Sequence, residues 1–278
     1  MSFKTILSVV DMHQSAADVE IATALCTELG AHLKLLIVSL DATSPVGDYA
    51  LGTSSVWVEE RERNIEQLKA EAEALKDLLQ RKEISYEVES LWLDSAYADA
   101  DIGNHARYSD LVVVGPSLFG ADDELKWHTV NAALFEAMRP VLIVPDKKIP
   151  SLKPKTVLLA WDSTLEASRG AREALDIMAG AKVHVTLVDP NASYGRNGAE
   201  PGADIALYLA RHDVNAIVDR LPSAGRDISD VLNQHAIDIS ADLIVMGGYG
   251  HSRFRERIFG GVTRTMIKSP RLPVLMAR

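Results

Sequence analysis

The chain has 278 residues, 47% hydrophobic and 24% charged, which is the composition of a soluble globular protein with room for two ordinary domains. Its formal net charge is −10, so its surface on average repels nucleic-acid backbones and anionic membranes. The single cysteine, Cys26, excludes an intrachain disulfide, and its apolar helical surroundings make it a core residue.

Taken in chain order, the start Met-Ser-Phe-Lys-Thr-Ile-Leu reads as a short strand and not a leader peptide. Short apolar runs follow at Ile6–Val10, Leu33–Val38, Tyr86–Leu91, Leu111–Val114 and Val141–Val144. A helix separates them over Glu59–Lys82, with the stripe Ile65, Leu68, Ala72, Leu75 and Leu79 facing its own sheet. The polar stretch Ser44–Ser55 reads as a loop. After a Lys- and Pro-rich join at Asp146–Lys155, the pattern resumes. The second set of runs is Val157–Trp161, Val183–Val188, Ala216–Val218, Leu243–Met246 and Val274–Met276, with a loop at Asn191–Gly202 and a helix at Gly261–Lys268. No run reaches the length of a membrane span, and cytoplasm is the expected compartment.

The halves repeat one another. Thr5–Asp11 matches Thr156–Asp162, Asp110–Gly115 matches Asp242–Gly247, and Arg139–Pro145 matches Leu272–Arg278, all in the same order. Nearly continuous β-branched runs alternating with helices predict two tandem, doubly wound, parallel five-stranded α/β sheets of Rossmann-like architecture. The expected domains are 1–147 and 153–278. Ligands of such sheets bind at the carboxyl ends of the strands, where Asp11, Asp162, Gly115 and Gly247 fall.

In the second half, Gly247-x-x-Gly250 is followed by nine residues and then Gly260-Gly261-Val262-Thr263. A glycine-rich loop from a strand end into a helix start suits a phosphate: the helix offers free N–H groups and the glycines admit close approach. The same spacing also suits a tight turn. Arg253, Arg255 and Arg257 add local positive charge.

With these residues the second half resembles a universal stress protein domain of the nucleotide-binding type, and the whole chain resembles tandem members of that family. The resemblance implies an ATP site, with ADP or AMP as alternatives and with or without magnesium. It implies that Ala160 and Asp162 line the mouth and meet the adenosine, and that Leu187 packs by the adenine. Met246 and Gly247 would flank base and ribose, and Gly250, Gly260, Gly261, Val262 and Thr263 would hold the phosphates. Gly261 stands where the family carries serine or threonine, which removes one hydroxyl donor and is expected to weaken binding by about tenfold or more.

The first half keeps Gly115 but continues Pro116-Ser-Leu-Phe-Gly-Ala-Asp122-Asp123-Glu124. Pro116 lacks an N–H and the acids repel phosphate, so this copy is expected to be a degenerate, nucleotide-free repeat. Asp11 then reads as a turn or helix cap. Ser163 with Glu166 forms a capping-box pattern, and Asp162 is either a ligand group or a cap.

None of the eight histidines has ligand spacing with another histidine or with Cys26, so no built-in metal site is expected. There is no Gly-x-x-x-x-Gly-Lys phosphate loop and no evident magnesium clamp. The expected function is therefore a stress-response sensor or regulator that binds adenine nucleotide, with no catalytic residue assigned. A slow ATP hydrolase and a nucleotide-free interaction scaffold are the alternatives. By family resemblance the last strands, Val141–Val144 and Val274–Met276, would pair within the chain as an internal pseudo-dimer, with a homodimer as a further option.

Overall fold

The computed structural model describes residues 3–13, 16–41, 50–119, 123–146, 149–190, 199–250 and 261–278. It divides into two compact units, Phe3–Ala137 and Met138–Arg278.

In the first unit the order is β1 (Thr5–Asp11), α1 (Ala16–Leu29), β2 (His32–Asp41), α2 (Ala50–Leu79), β3 (Tyr86–Asp94), α3 (Ala98–Ala106) and β4 (Leu111–Val114). A 3₁₀ turn (Pro116–Phe119), α4 (Glu124–Asn131) and a π turn (Ala132–Glu136) complete it. The strands run β3-β2-β1-β4, all parallel. Ile6, Val9, Val10 and the whole of β4 are fully buried, as expected of strands covered on both faces. The outer strand β3 instead alternates in exposure, and Glu87 on it pairs with Lys34 at 2.9 Å. Leu68, Ala72, Leu75 and Leu79 of α2 are buried, as their spacing predicts. That helix starts at Ala50, so part of the stretch read as a loop is helical: continuity with the strong helix formers downstream outweighs its Ser, Thr and Gly content. The rest of that stretch lies outside the described residues.

In the second unit the order is β5 (Val141–Ile143), β6 (Thr156–Ala160), α5 (Leu165–Glu173), α6 (Leu175–Met178), β7 (Lys182–Val188), α7 (Ala203–Ala210) and β8 (Asn215–Leu221). It continues with α8 (Ile228–Asp238), β9 (Leu243–Gly247), α9 (Val262–Lys268) and β10 (Val274–Ala277). The strands run β5-β10-β9-β6-β7-β8. Five are parallel, and β5 is antiparallel to β10 with Leu142 opposite Leu275. The fifth strand of the first sequence repeat thus packs in the second compact unit, in the strand pairing expected from the resemblance.

The repeated aspartates explain part of the duplication. Asp110 Oδ2 accepts the N–H groups of Lys4 and Thr5, and Asp242 Oδ2 accepts those of Lys155 and Thr156. Each ties the start of one strand to the start of its neighbour, satisfying backbone donors that the ladder leaves open. Cys26 is buried, and burial pushes its thiol up to about 12, so it behaves as an apolar side chain.

Candidate functional site

At the carboxyl ends of β6, β7 and β9 the second unit holds a cavity of about 560 Å³. Ala160, Trp161 and Asp162 line it from the end of β6, and Thr164, Glu166 and Ala167 from the start of α5. Thr186 and Val188 contribute from β7, Ile228 and Leu232 from α8, and Met246, Gly247 and Gly250 from β9 and its loop. Gly261, Val262 and Thr263 close it at the start of α9. The fold therefore brings Ala160, Asp162, Met246, Gly247, Gly250, Gly261, Val262 and Thr263 together. Gly260 and the arginines at 253, 255 and 257 lie outside the described residues.

Leu187 does not line the cavity. Side chains alternate along a strand, so its neighbours Thr186 and Val188 face the cavity while Leu187 is buried toward Gly202 on the other side. A period-two reading of β7 would have selected the neighbours. Ile228 and Leu232 sit four apart on α8 and share one face, a signal also present in the sequence.

The two outer glycines have different causes. A Cβ on Gly247 would overlap the backbone of Glu166 and Ala167, and one on Gly170 would fall 2.7 Å from the Met246 carbonyl oxygen. These glycines let α5 press onto β9, so their close approach is to the protein itself. Gly250 has no such clash: the nearest atom to its missing Cβ is Glu166 Oε2 at 3.3 Å. Its openness faces the cavity.

Asp162 Oδ1 accepts from the Thr164 N–H at 3.1 Å and from the Thr164 hydroxyl at 2.6 Å. Thr164 in turn caps α5, its Oγ1 accepting from the Ala167 N–H at 3.2 Å. The cap is thus Thr164 rather than the Ser163–Glu166 box: Ser163 is in the left-handed region at φ 61°, one residue too early. Asp11 makes the matching turn in the first unit, accepting from the His13 N–H at 2.8 Å. One Asp162 oxygen therefore has a structural task that both repeats share. Thr263 Oγ1 accepts from the Tyr249 N–H at 3.2 Å, fastening the glycine loop to α9. Gly261, at the N-cap of α9, has no side chain to accept from the first N–H groups of the helix.

At the equivalent strand end of the first unit, Gly115 meets a side chain. Asp18 is fully buried against Gly115 and accepts from the Ser117 N–H at 3.0 Å and from its hydroxyl. Asp123 pairs with the buried Lys126 at 3.1 Å, and Glu124 bonds Ser95. The spacing of the histidines gave no cluster, yet the fold brings His184 and His235 to one carboxylate, Asp219.

The fold defines a doubly wound α/β protein with a cavity at its strand carboxyl ends. Residues 153–278 match the model of the Universal stress protein family. Over its full length the chain is similar to a universal stress protein from Archaeoglobus fulgidus DSM 4304, with a TM-score of 0.64, 15% identity, and 100% of this chain and 97% of that chain covered. It is also similar to a functionally unknown protein from Pseudomonas aeruginosa PAO1, with a TM-score of 0.56, 16% identity and 99% and 92% coverage. No curated protein sequence matches the chain. Residues 153–278 are thus similar to that family, and the full-length chain shares the fold of these structures. No helix among the described residues is long and apolar enough to cross a membrane.

Proposed function

We propose that the second unit binds an adenine nucleotide, ATP or its ADP and AMP forms, and that the chain serves as a cytoplasmic stress-response sensor or regulator rather than an efficient enzyme. The observation that carries this reading is the cavity of about 560 Å³ into which the separate sequence motifs converge. Its size is within the range of small-molecule sites. Ala160, Val188, Ile228, Leu232 and Met246 supply apolar walls suited to a base. Asp162, Thr164 and Thr186 supply polar groups suited to a ribose. Gly250, Gly261 and the start of α9 suit backbone contacts to phosphates.

No lysine or arginine lines the described cavity, and Glu166 adds a carboxylate beside Gly250. Calorimetric titration of ATP, ADP and AMP, with and without magnesium, tests the reading. One site per chain, lost on Gly250→Val in a protein that still unfolds cooperatively, is the expected result. Absence of binding at millimolar nucleotide would leave the scaffold alternative. Magnesium-dependent phosphate release lost in Thr263→Val would favour the hydrolase.

A further inference from the structure

Three side chains from three elements converge beside the cavity. His184 is on β7, Asp219 on β8 and His235 on α8. In the parallel register Asp219 lies next to Thr186, a cavity residue, and His235 follows the cavity residue Leu232 by three positions on α8. His184 Nδ1 is 2.7 Å from Asp219 Oδ2, and His235 Nε2 is 2.8 Å from the same oxygen. All three atoms lie within 4.8 Å of one another.

We propose that His184, Asp219 and His235 form a three-ligand site for a first-row divalent transition metal of the zinc class. Two imidazole nitrogens and one carboxylate oxygen are the donor set such ions prefer, with the remaining position open to water. The sheet and the packed helix fix the elements that carry the three side chains. The side chains retain 9%, 20% and 16% of their exposure, so the site has a solvent side for entry and for a water ligand. Both imidazoles are aimed at the point that Asp219 Oδ2 occupies. Turning the carboxylate aside opens that point to an ion and keeps its oxygen within reach.

The electrostatics agree. An ionised carboxylate between two imidazoles attracts a cation, and the net charge of −10 enriches cations around the protein. On binding, the metal takes the lone pairs of His184 Nδ1 and His235 Nε2, and each ring carries its proton on the other nitrogen. His184 Nε2 is buried without a hydrogen-bond partner among the described residues. That cost makes the expected affinity lower than that of a closed four-ligand structural site.

The test uses the full chain, stripped with a chelator and free of nucleotide. Cobalt(II) is titrated and followed by its visible ligand-field bands, and zinc(II) by calorimetry at pH 7.5. One equivalent per chain is expected, with a spectrum of low-coordinate cobalt. Asp219→Asn and His235→Gln should each weaken binding about 100-fold, while His105→Gln in the first unit should not change it. Circular dichroism on each variant shows that it is folded. Absence of saturable binding, or binding undiminished in folded Asp219→Asn and His235→Gln, overturns the proposal. The triad is then a hydrogen-bonded clasp between sheet and helix.

Discussion

Gly247 and Ala167 meet backbone against backbone, so closely that a Cβ on Gly247 would overlap the Ala167 nitrogen. The obstacle is main chain, which cannot swing aside as a side-chain tip can. Gly247→Ala is therefore expected to destabilise the second unit by about 1–3 kcal/mol through overpacking. Gly250→Ala should stay within about 0.5 kcal/mol of the parent, because its nearest neighbour is a side-chain carboxylate at 3.3 Å. Urea denaturation of both variants checks the contrast. Equal losses would show that α5 does not press on β9 as described.

Glu166 puts negative charge beside the glycine from which the phosphates are expected to be held. Glu166→Gln keeps the shape and removes the charge. Without magnesium it should tighten ATP binding by about threefold to tenfold, and AMP, with fewer charges, should gain less. Calorimetry on the three nucleotides reads this. An unchanged ATP affinity would place the phosphates away from Gly250.

Asp18 gives the first unit an acid-favoured step. Burial, opposed by the Ser117 hydrogen bonds and helped by Asp11, raises its carboxyl from 3.8 to about 6. The folded chain then holds a proton that the unfolded chain releases near pH 4, so stability falls as pH rises from about 4 through about 6 and levels off above. Asp18→Asn should remove this slope and leave the protein as stable or more stable at pH 7.5. Denaturation at pH 5 and pH 7.5 measures the difference. A parent whose stability climbs across that window, with the climb unchanged in the variant, would refute it.

His128 shifts in the same direction, over a higher pH window. Its hydrogen bond to Asp99 at 2.6 Å, opposed by partial burial and aided by the charges of Asp99 and Glu124, raises its pKa above the ordinary 6.5. Its contribution is fully present below about 6.5 and is lost as pH climbs through the raised value. His128→Gln should lower stability at pH 6 more than at pH 9. Equal losses at both pH values would mean that the imidazole packs without carrying charge.

Much of this architecture can be read directly from residues. The β-branched runs announce buried strands because burial on both faces leaves no polar alternation, and the α2 stripe announces its buried face. The cavity glycines and Asp162 were legible because strand ends and helix starts converge in any doubly wound sheet. Leu187 misled because proximity in sequence does not fix which face a strand residue takes. The His184–Asp219–His235 cluster was hidden for a deeper reason: its members lie on separate elements, and only the β7–β8 register and the α8 packing make them neighbours. The two roles of glycine were equally hidden, since Gly247 and Gly250 look alike until the contact with α5 is known.

The β5–β10 pairing has a consequence for dissecting the molecule. A fragment that begins at Lys153 follows the sequence repeat but leaves out Val141–Ile143, and so strips β10 of its antiparallel partner. Its open hydrogen-bonding edge would present Val274–Met276 to solvent, an apolar row that can template the same row of another copy. Such a fragment is a sticky half, whereas one beginning at Met138 keeps β10 paired with β5.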